Sequence, residues 1–523
     1  MVSWELIHKA TIFIAEEMGV ALKRSAFSPN IRERMDHSCA VLDSEGRIVA
    51  QAEHIPVHLG SFRVGVLNTL RWLEREGVEL EDGDIVVLND PYISGTHLND
   101  VMVLAPVYVG GRLVAYVVNK AHHVDVGGPI PGSMNPNART IYEEGLIIPP
   151  VKIVRRGSVD RDLLRLVVEN SKTPRVTIGD LNAQIAANRV GSRRVSELIG
   201  RYGLEAVVEG WRKAVDYARR LTLNGMTSWR RGVYESIDYL ELPDRDLVLK
   251  CTLEIRGDGV RVDFTGSSEQ VQAPLNAVYG VTFSATTYAV RVALEGDIPV
   301  NEGFYSLVEV VAPEGSIVNP RKPAPVAGGN VETSQRIADV VLRALAEAVP
   351  NRIPAAGSGT MMNVMIGGYD EERGYWAYYE TIGGGTGGRP GGDGVSGVHV
   401  NMTNTLNTPI EVAERSYPIL YTAYRIREGS GGMGRYKGGD GIARAFRVLK
   451  PARLSVLAER FRHRPYGLWG GEPGKPARVT IRRSSGLEEV MPSKFTVDLE
   501  PGDEVVIETP GGGGWGPAEG SRA

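Results

Sequence analysis

Residues 97–125 read HLNDVMVLAPVYVGGRLVAYVVNKAHHVD, and this stretch carries the clearest fold signal in the chain. Two apolar runs, residues 101–109 and 113–118, flank the pair Gly110-Gly111. Short apolar runs around two glycines predict a β-hairpin. Because the two ends of an antiparallel hairpin lie side by side, we expect the polar residues at the two ends of this stretch to be neighbours.

The polar residues at the ends of this hairpin predict a metal site. His97 and Asp100 lie at one end and His122 at the other. Imidazole and carboxylate ligands suit Zn, Mn or Fe(II), and three protein ligands leave a position for water or substrate. For each histidine alone, a hydrogen bond in a polar loop is the simpler interpretation. His123 faces away from His122 if the segment is extended, so it is expected to support the site or face a substrate.

Asp36 is harder to place. Together with His54 and His58 it flanks an earlier predicted hairpin, so the three side chains are expected to lie close together. Asp36 is either a fourth metal ligand or the partner of Arg32 or Arg34 in a salt bridge. The residues alone leave both interpretations open.

A second cluster, residues 383–394, reads GGGTGGRPGGDG. It contains G-x-G-x-x-G spacing, but Pro390 and more glycines follow where a helix would have to begin, which excludes a dinucleotide site. Glycines let backbone N–H groups approach a phosphate, and they equally let two elements pack closely. In the first interpretation, the phosphate contacts come from Gly383, Gly384, Gly385, Gly387, Gly388 and Arg389.

The chain of 523 residues is long enough for two to four structural units. Helical and strand patterns alternate in blocks, which predicts an α+β fold. The predicted units are a mixed region with the metal site (1–160), a helical region (161–235), an α+β region with the glycine-rich loop (236–440), a β-rich unit (441–515) and a tail (516–523).

Composition excludes several classes of function. Lys plus Arg number 59 and Asp plus Glu number 63, a net charge of -4 that does not favour a nucleic-acid partner. No apolar run approaches the roughly 20 residues that span a bilayer, so no membrane segment is expected. The chain has two cysteines, Cys39 and Cys251, which are too few for a disulfide scaffold. We therefore expect a cytoplasmic location. The one Gly-Lys pair, Gly474-Lys475, is followed by Pro476, so a P-loop for ATP is lacking.

The motifs resemble the hydantoinase B/oxoprolinase family, which includes the B-type component of ATP-dependent N-methylhydantoinase and subunits of acetone and acetophenone carboxylases. The resemblance extends over residues 5–515. It is carried by NDPY (89–92), GTHLND (95–100), HHVDVGG (122–128), PGSM (131–134), IYEEG (141–145), IPPVK (148–152), DLNAQIAANR (180–189), GGNVETS (328–334) and GGGTGG (383–388).

The resemblance implies a division of labour between two subunits. A larger hydantoinase A-type partner would bind ATP with Mg and phosphorylate a small cyclic amide, and this chain would be the B-type component of a hetero-oligomer. Metal ligands would be His97, Asp100 and His122, with Asp36 as the fourth. The implied reaction is hydrolysis of the activated amide, of hydantoinase or 5-oxoprolinase type, by a metal-bound hydroxide. Either His123 or Asp125 would handle the proton, while the glycine-rich loop with its arginine would hold the phosphate.

Two other functions remain open at this stage. The chain is alternatively a subunit of an ATP-dependent carboxylase, in which the metal stabilises the enolate of a ketone beside CO2. In a different class, it is a non-catalytic scaffold whose glycines only build an interface. Metal content separates the scaffold from the two enzymes, because a scaffold has no need of convergent histidine and aspartate.

Overall fold

The computed structural model describes residues 3–52, 54–372 and 374–518. Helix and strand occur in similar shares, 31% and 27%, and the sheets are largely antiparallel. The predicted α+β class is therefore confirmed. Within the described ranges, no helix is both long and apolar enough to cross a membrane. Residues 519–523 of the predicted tail lie outside these ranges.

Three successive helices occupy most of residues 161–226, within the predicted helical region. A π-helical turn, Gly329–Thr333, leads directly into the helix Ser334–Ala348. The helices are α1 (Trp4–Ser25), α2 (Pro29–Arg32), α3 (Pro56–Arg75), α4 (Pro91–Ser94), α5 (Arg161–Val168), α6 (Pro174–Tyr202), α7 (Leu204–Met226), α8 (Tyr279–Ala293), α9 (Glu302–Tyr305), α10 (Ser334–Ala348) and α11 (Ile410–Ser416).

The first sheet contains the predicted hairpin and has the strand order β2-β1-β5-β4-β3-β6-β7. Its strands are β1 (His37–Asp43), β2 (Ile48–Gln51), β3 (Ile85–Leu88), β4 (Asp100–Val109), β5 (Arg112–His122), β6 (Val151–Arg155) and β7 (Ser158–Val159). The hairpin β4–β5 is confirmed, and its register pairs Asp100 directly with His122. The two ends of the quoted stretch are therefore neighbours, as expected.

Alternation along β5 sends successive side chains to opposite faces of this sheet. Asn119 faces α6, where its amide Nδ2 donates to Asn188 Oδ1 at 2.8 Å. Lys120 faces α3, where its Nζ donates to Ser61 Oγ at 2.7 Å. The first sheet is thus buried on both faces, and His122 lies on the α3 side together with Lys120.

The described part of the chain forms three further sheets. Their strands are β8 (Gly232–Glu241), β9 (Asp246–Ile255), β10 (Val260–Asp263), β11 (Val308–Val311), β12 (Asn363–Asp370), β13 (Gly374–Glu380), β14 (Ile419–Arg427), β15 (Gly441–Val448), β16 (Ala452–Leu457), β17 (Arg478–Arg482), β18 (Glu488–Met491), β19 (Lys494–Leu499) and β20 (Glu504–Glu508). Their orders are β11-β10-β9-β8, β13-β12-β16-β19 and β14-β15-β20-β17-β18. Strand β12 pairs with β16, and β14 pairs with β15. Strand pairing therefore connects the two units between which the sequence predicts a boundary at residues 440 and 441.

A buried ionic cluster joins the second sheet, α10 and the segment that follows β16. Arg460 Nη2 lies 2.6 Å from Asp339 Oδ2 and 3.0 Å from Asp238 Oδ2. Arg336 Nη1 approaches the same Asp339 oxygen at 3.2 Å. All four side chains are almost completely buried, so these charges are compensated by each other rather than by water.

Candidate metal centre

The loop before β4 is shaped by local capping. Helix α4 begins at a proline after Asp90, whose carboxylate accepts the N–H of Tyr92 at 3.1 Å. It ends at Gly95, whose φ of 83° is a left-handed conformation that glycine adopts at little cost. The Asn89 side chain donates to the carbonyl of Leu98 at 2.9 Å and holds the loop from behind. These contacts give Asn89, Asp90 and Pro91 of the NDPY motif structural roles. They hold the loop that ends with His97 against the first residue of β4, Asp100.

Three donor atoms converge where the loop meets the end of β5. His97 Nε2 lies 3.0 Å from Asp100 Oδ1 and 3.2 Å from His122 Nδ1. His122 Nδ1 lies 3.3 Å from the same Asp100 oxygen. The three residues, taken in sequence order, are 0%, 0% and 2% exposed. A metal site of this kind needs at least three His, Cys, Asp or Glu side chains with ligand atoms close together. Among the described residues, His97, Asp100 and His122 form the one group that meets this condition.

The spacing of these atoms fits a divalent cation. Two ligands bound tetrahedrally at about 2.0–2.1 Å lie about 3.3–3.4 Å from each other, close to the separations found here. Asn330, whose Nδ2 contacts Asp100, has a buried Oδ1 with no hydrogen-bond partner in the described part of the chain. Most buried polar atoms in folded proteins have a partner in the protein or in ordered water, so this oxygen has room for a further donor or a cation.

Two residues from distant segments support the Asp100 carboxylate. His58 on α3 places its Nε2 3.3 Å from Asp100 Oδ2, and Asn330 in the π-helical turn donates its Nδ2 to the same oxygen at 3.3 Å. Burial raises the pKa of Asp100, but the neighbouring His97 and His58 outweigh it and hold the pKa well below its usual range. Burial lowers the pKa of His122, which favours the neutral imidazole that binds metals.

The structure places Asp36 beside the triad but against an arginine. Its carboxylate lies 3.9 Å from Arg34 Nη2, and its backbone carbonyl accepts the N–H of His122 at 3.0 Å. It is absent from the group of converging donors. Of the two interpretations left open by the sequence, the structure shows the salt bridge, and a fourth ligand at Asp36 stays a prediction.

His123 and Asp125 face other parts of the protein. His123 Nε2 lies 2.8 Å from Gln184 Oε1 on α6, the side of the sheet opposite His122. Asp125 accepts backbone N–H groups from Gly127 at 3.0 Å and Lys172 at 2.9 Å, so it organises its own loop. No contact in the described residues connects either side chain to the triad, and the proton-transfer role predicted for them stays a prediction.

The family model for hydantoinase B/oxoprolinase matches residues 1–518. The chain belongs to the hydantoinase B/oxoprolinase family. It is 38% identical to 5-oxoprolinase 1 of Arabidopsis thaliana over 96% of this chain and 41% of that protein. It is 31% identical to the B-type component of a putative D-/L-hydantoinase from a Pseudomonas species over 96% of this chain and 88% of that protein. The chain thus spans about two fifths of the oxoprolinase and most of the hydantoinase component.

Solved structures extend the comparison. An ATP-dependent caprolactamase from Pseudomonas jessenii superposes with a TM-score of 0.91 at 29% identity, over 98% of this chain and 90% of that one. Acetone carboxylase, solved without nucleotide, has the same TM-score of 0.91 at 20% identity, over 98% of this chain and 75% of that one. The second match shows a shared fold and nothing further.

The glycine-rich loop of this family member is packed inside the protein. The amides of Gly384, Gly385 and Gly388 donate to backbone carbonyls elsewhere in the chain at 2.8, 3.1 and 2.8 Å. A Cβ on Gly385 would lie 1.8 Å from the carbonyl oxygen of Gly439. Arg389 is exposed beyond the packed stretch. The structure therefore supports the packing interpretation, because these amides are already used, and phosphate binding by the loop stays a prediction.

We expect Gly385→Ala to lower the free energy of unfolding by about 2–3 kcal/mol. The added Cβ overlaps the carbonyl oxygen of Gly439, and a backbone atom cannot avoid the overlap by changing its rotamer. Gly200→Ala is the control: it lies in α6 with open space around its Cβ position, and it should raise stability by about 0.5–1 kcal/mol. Urea unfolding of both variants measures the difference. Equal stability of Gly385→Ala and the unmodified chain would contradict the packing role.

Proposed function

We propose that this chain is the hydrolytic subunit of an ATP-dependent enzyme that opens a small cyclic amide. In this proposal an A-type partner uses ATP to phosphorylate the carbonyl oxygen of the amide, and the present chain binds the activated ring and cleaves its C–N bond. The observation that carries the proposal is the buried triad His97–Asp100–His122, whose donor atoms all lie 3.0–3.3 Å apart.

The comparisons support the same reaction class. The hydantoinase component and the caprolactamase are matched over nearly the whole chain, and the names of both refer to cyclic amides. The 5-oxoprolinases are more than twice as long as the matched region, and we propose that the function of their remaining part is carried here by a separate ATP-binding partner. The absence of a P-loop motif from the sequence agrees with that arrangement.

The residues of the triad have distinct tasks in this proposal. A divalent cation held by His97, Asp100 and His122 supplies Lewis acidity toward water and the amide carbonyl when bound. Asp100 uses Oδ1 for the cation, while His58 and Asn330 hold Oδ2 and thereby orient the carboxylate. His58 carries a proton on Nε2 toward that oxygen, because an ionised carboxylate only accepts.

Burial of the triad has a chemical consequence. The three side chains are at most 2% exposed, so bulk water has little access to the triad itself. Exclusion of water protects a phosphorylated substrate from unproductive hydrolysis and strengthens electrostatic interactions within the site.

The test is an assay of the complex formed with an A-type partner. Purified complex is incubated with Mg-ATP and 5-oxoproline, a hydantoin or caprolactam, and ring-opened product is measured together with released phosphate. We expect product and phosphate in equal amounts with one of these amides. Carboxylation of acetone in the presence of bicarbonate, with no amide opened, would contradict the proposal.

We expect the chain by itself not to bind Mg-ATP, since its sequence lacks the glycine-rich cradle with its lysine and Ser/Thr. Calorimetric titration of the isolated chain should show no heat of binding, whereas the complex with its partner should bind ATP. Micromolar affinity of the isolated chain would overturn the division into two subunits.

A further inference from the structure

The imidazole of His122 is oriented by packing. Its Nε2 is buried and has no hydrogen-bond partner among the described residues, although histidine ligands usually donate that second N–H to a carboxylate or carbonyl. The ring stacks instead on Tyr379 in β13, with centroids 4.4 Å apart and planes inclined by 12°. The stack with Tyr379 therefore limits rotation of the His122 ring and keeps Nδ1 directed toward His97 and Asp100.

Tyr379 is itself held from several directions. The guanidinium carbon of Arg34 lies 4.7 Å from the centroid of the tyrosine ring, a cation–π contact. The phenol donates to Asn363 Oδ1 at 3.0 Å, and Asn363 Nδ2 donates to Glu332 Oε1 at 2.7 Å. Glu332 lies in the same π-helical turn as Asn330, which touches Asp100. These hydrogen bonds thus connect Tyr379 to the π-helical turn that also contacts the Asp100 carboxylate.

We propose that Tyr379 is a positioning residue of the metal centre, which holds the His122 ring so that Nδ1 faces the bound ion. The inference rests on the proposed metal-dependent function. It predicts that the aromatic ring, more than the hydroxyl, carries the effect, because the stack acts on the imidazole directly whereas the hydrogen bond only anchors the tyrosine.

The test compares variants at two tyrosines of the same strand. Tyr379→Leu removes the stack, Tyr379→Phe retains it, and Tyr375→Leu is the control because Tyr375 is 66% exposed in β13. Zinc affinity is measured by competition with a chromophoric chelator, and the visible absorption of the Co(II)-loaded chain reports ligand geometry. We expect Tyr379→Leu to bind zinc about 10- to 100-fold more weakly with an altered Co(II) spectrum. The other two variants should stay within about threefold of the unmodified chain, in line with an intact ligand set.

The result that overturns the inference is a folded Tyr379→Leu chain with unchanged zinc affinity and an unchanged Co(II) spectrum. Circular dichroism establishes folding, and Tyr379→Met, which fills a similar volume without a ring, replaces the leucine variant if that chain does not fold. Metal binding by the unmodified chain with no amide hydrolysis by the complex would contradict the proposed function and leave the positioning role standing. An unmodified chain that binds neither zinc nor cobalt would overturn both.

Discussion

Replacement of His97 or Asp100 by alanine is expected to abolish stoichiometric metal binding and to lower amide hydrolysis by the complex about 10³-fold or more. In the proposed function each change removes one of the three metal ligands, and the loss of metal removes several kcal/mol of stabilisation of the transition state. Both side chains are fully buried, His97 at the end of a loop and Asp100 at the first residue of β4, so circular dichroism establishes that each variant folds before its metal content is measured. Elemental analysis measures the metal, and ring-opened product measures the reaction.

The control for this prediction is an exposed pair of the same residue types. His463 Nε2 lies 2.7 Å from Asp246 Oδ2 at the surface, with no further histidine or acidic ligand converging on it among the described residues. His463→Ala and Asp246→Ala should retain full metal content and activity. Full occupancy in His97→Ala and Asp100→Ala as well would show that the ion binds elsewhere.

Asp339→Ala is expected to lower the free energy of unfolding by about 3–5 kcal/mol. Asp339 compensates both Arg460 and Arg336 at 2.6 and 3.2 Å, and its removal leaves buried guanidinium groups with fewer partners. An uncompensated buried charge costs several times more than an exposed pair contributes. Urea denaturation gives the change, and the slope of the transition shows whether the chain still unfolds cooperatively.

A surface ion pair provides the comparison for the buried cluster. Asp498 lies 2.7 Å from Arg453 but is 69% exposed, so Asp498→Ala should change stability by less than about 1 kcal/mol. The joint replacement Asp339→Leu with Arg460→Met should recover part of the loss, because it removes opposite charges together. A loss below about 1 kcal/mol for Asp339→Ala alone would mean that water or rearrangement compensates the arginines.

The hairpin and the triad are the features that could be predicted from the residues alone. The apolar runs around Gly110-Gly111 define a local hairpin, which brings the chain near Asp100 beside the chain near His122. The direct pairing of the two residues depends on a register shift between Val107 and Tyr108, which the sequence does not predict. Alternation along β5 likewise predicts that His123 turns away from His122, and the structure directs it to Gln184 on α6. The hairpin and the opposite orientations of His122 and His123 follow from local geometry, whereas the contact of His123 with Gln184 depends on the packing of α6.

The residues that surround the triad could not be placed in this way. His58 lies on α3, Asn330 in a π-helical turn more than 200 residues further along, and Tyr379 in a strand of another sheet. The GGNVETS segment, which contains Asn330, carries part of the family resemblance, but no pattern in it indicates that the Asn330 amide reaches Asp100. Contacts between distant segments depend on how helices and sheets pack against one another. The pattern of apolar residues within one segment does not indicate which other segment it will contact.

The sequence by itself determined the α+β class, the hairpin and the proximity of His97, Asp100 and His122, because each depends on alternation and chain reversal over a few tens of residues. Metal binding by these three side chains stays a prediction. Only the tertiary structure shows how the glycine-rich loop is packed. Absence of a Cβ serves phosphate binding and close packing equally well, and the carbonyl of Gly439, at 1.8 Å from a Cβ on Gly385, supports packing, while phosphate binding stays a prediction. The same holds for Asp36, since a carboxylate can bind a cation or pair with Arg34, and the folded chain places it against the arginine.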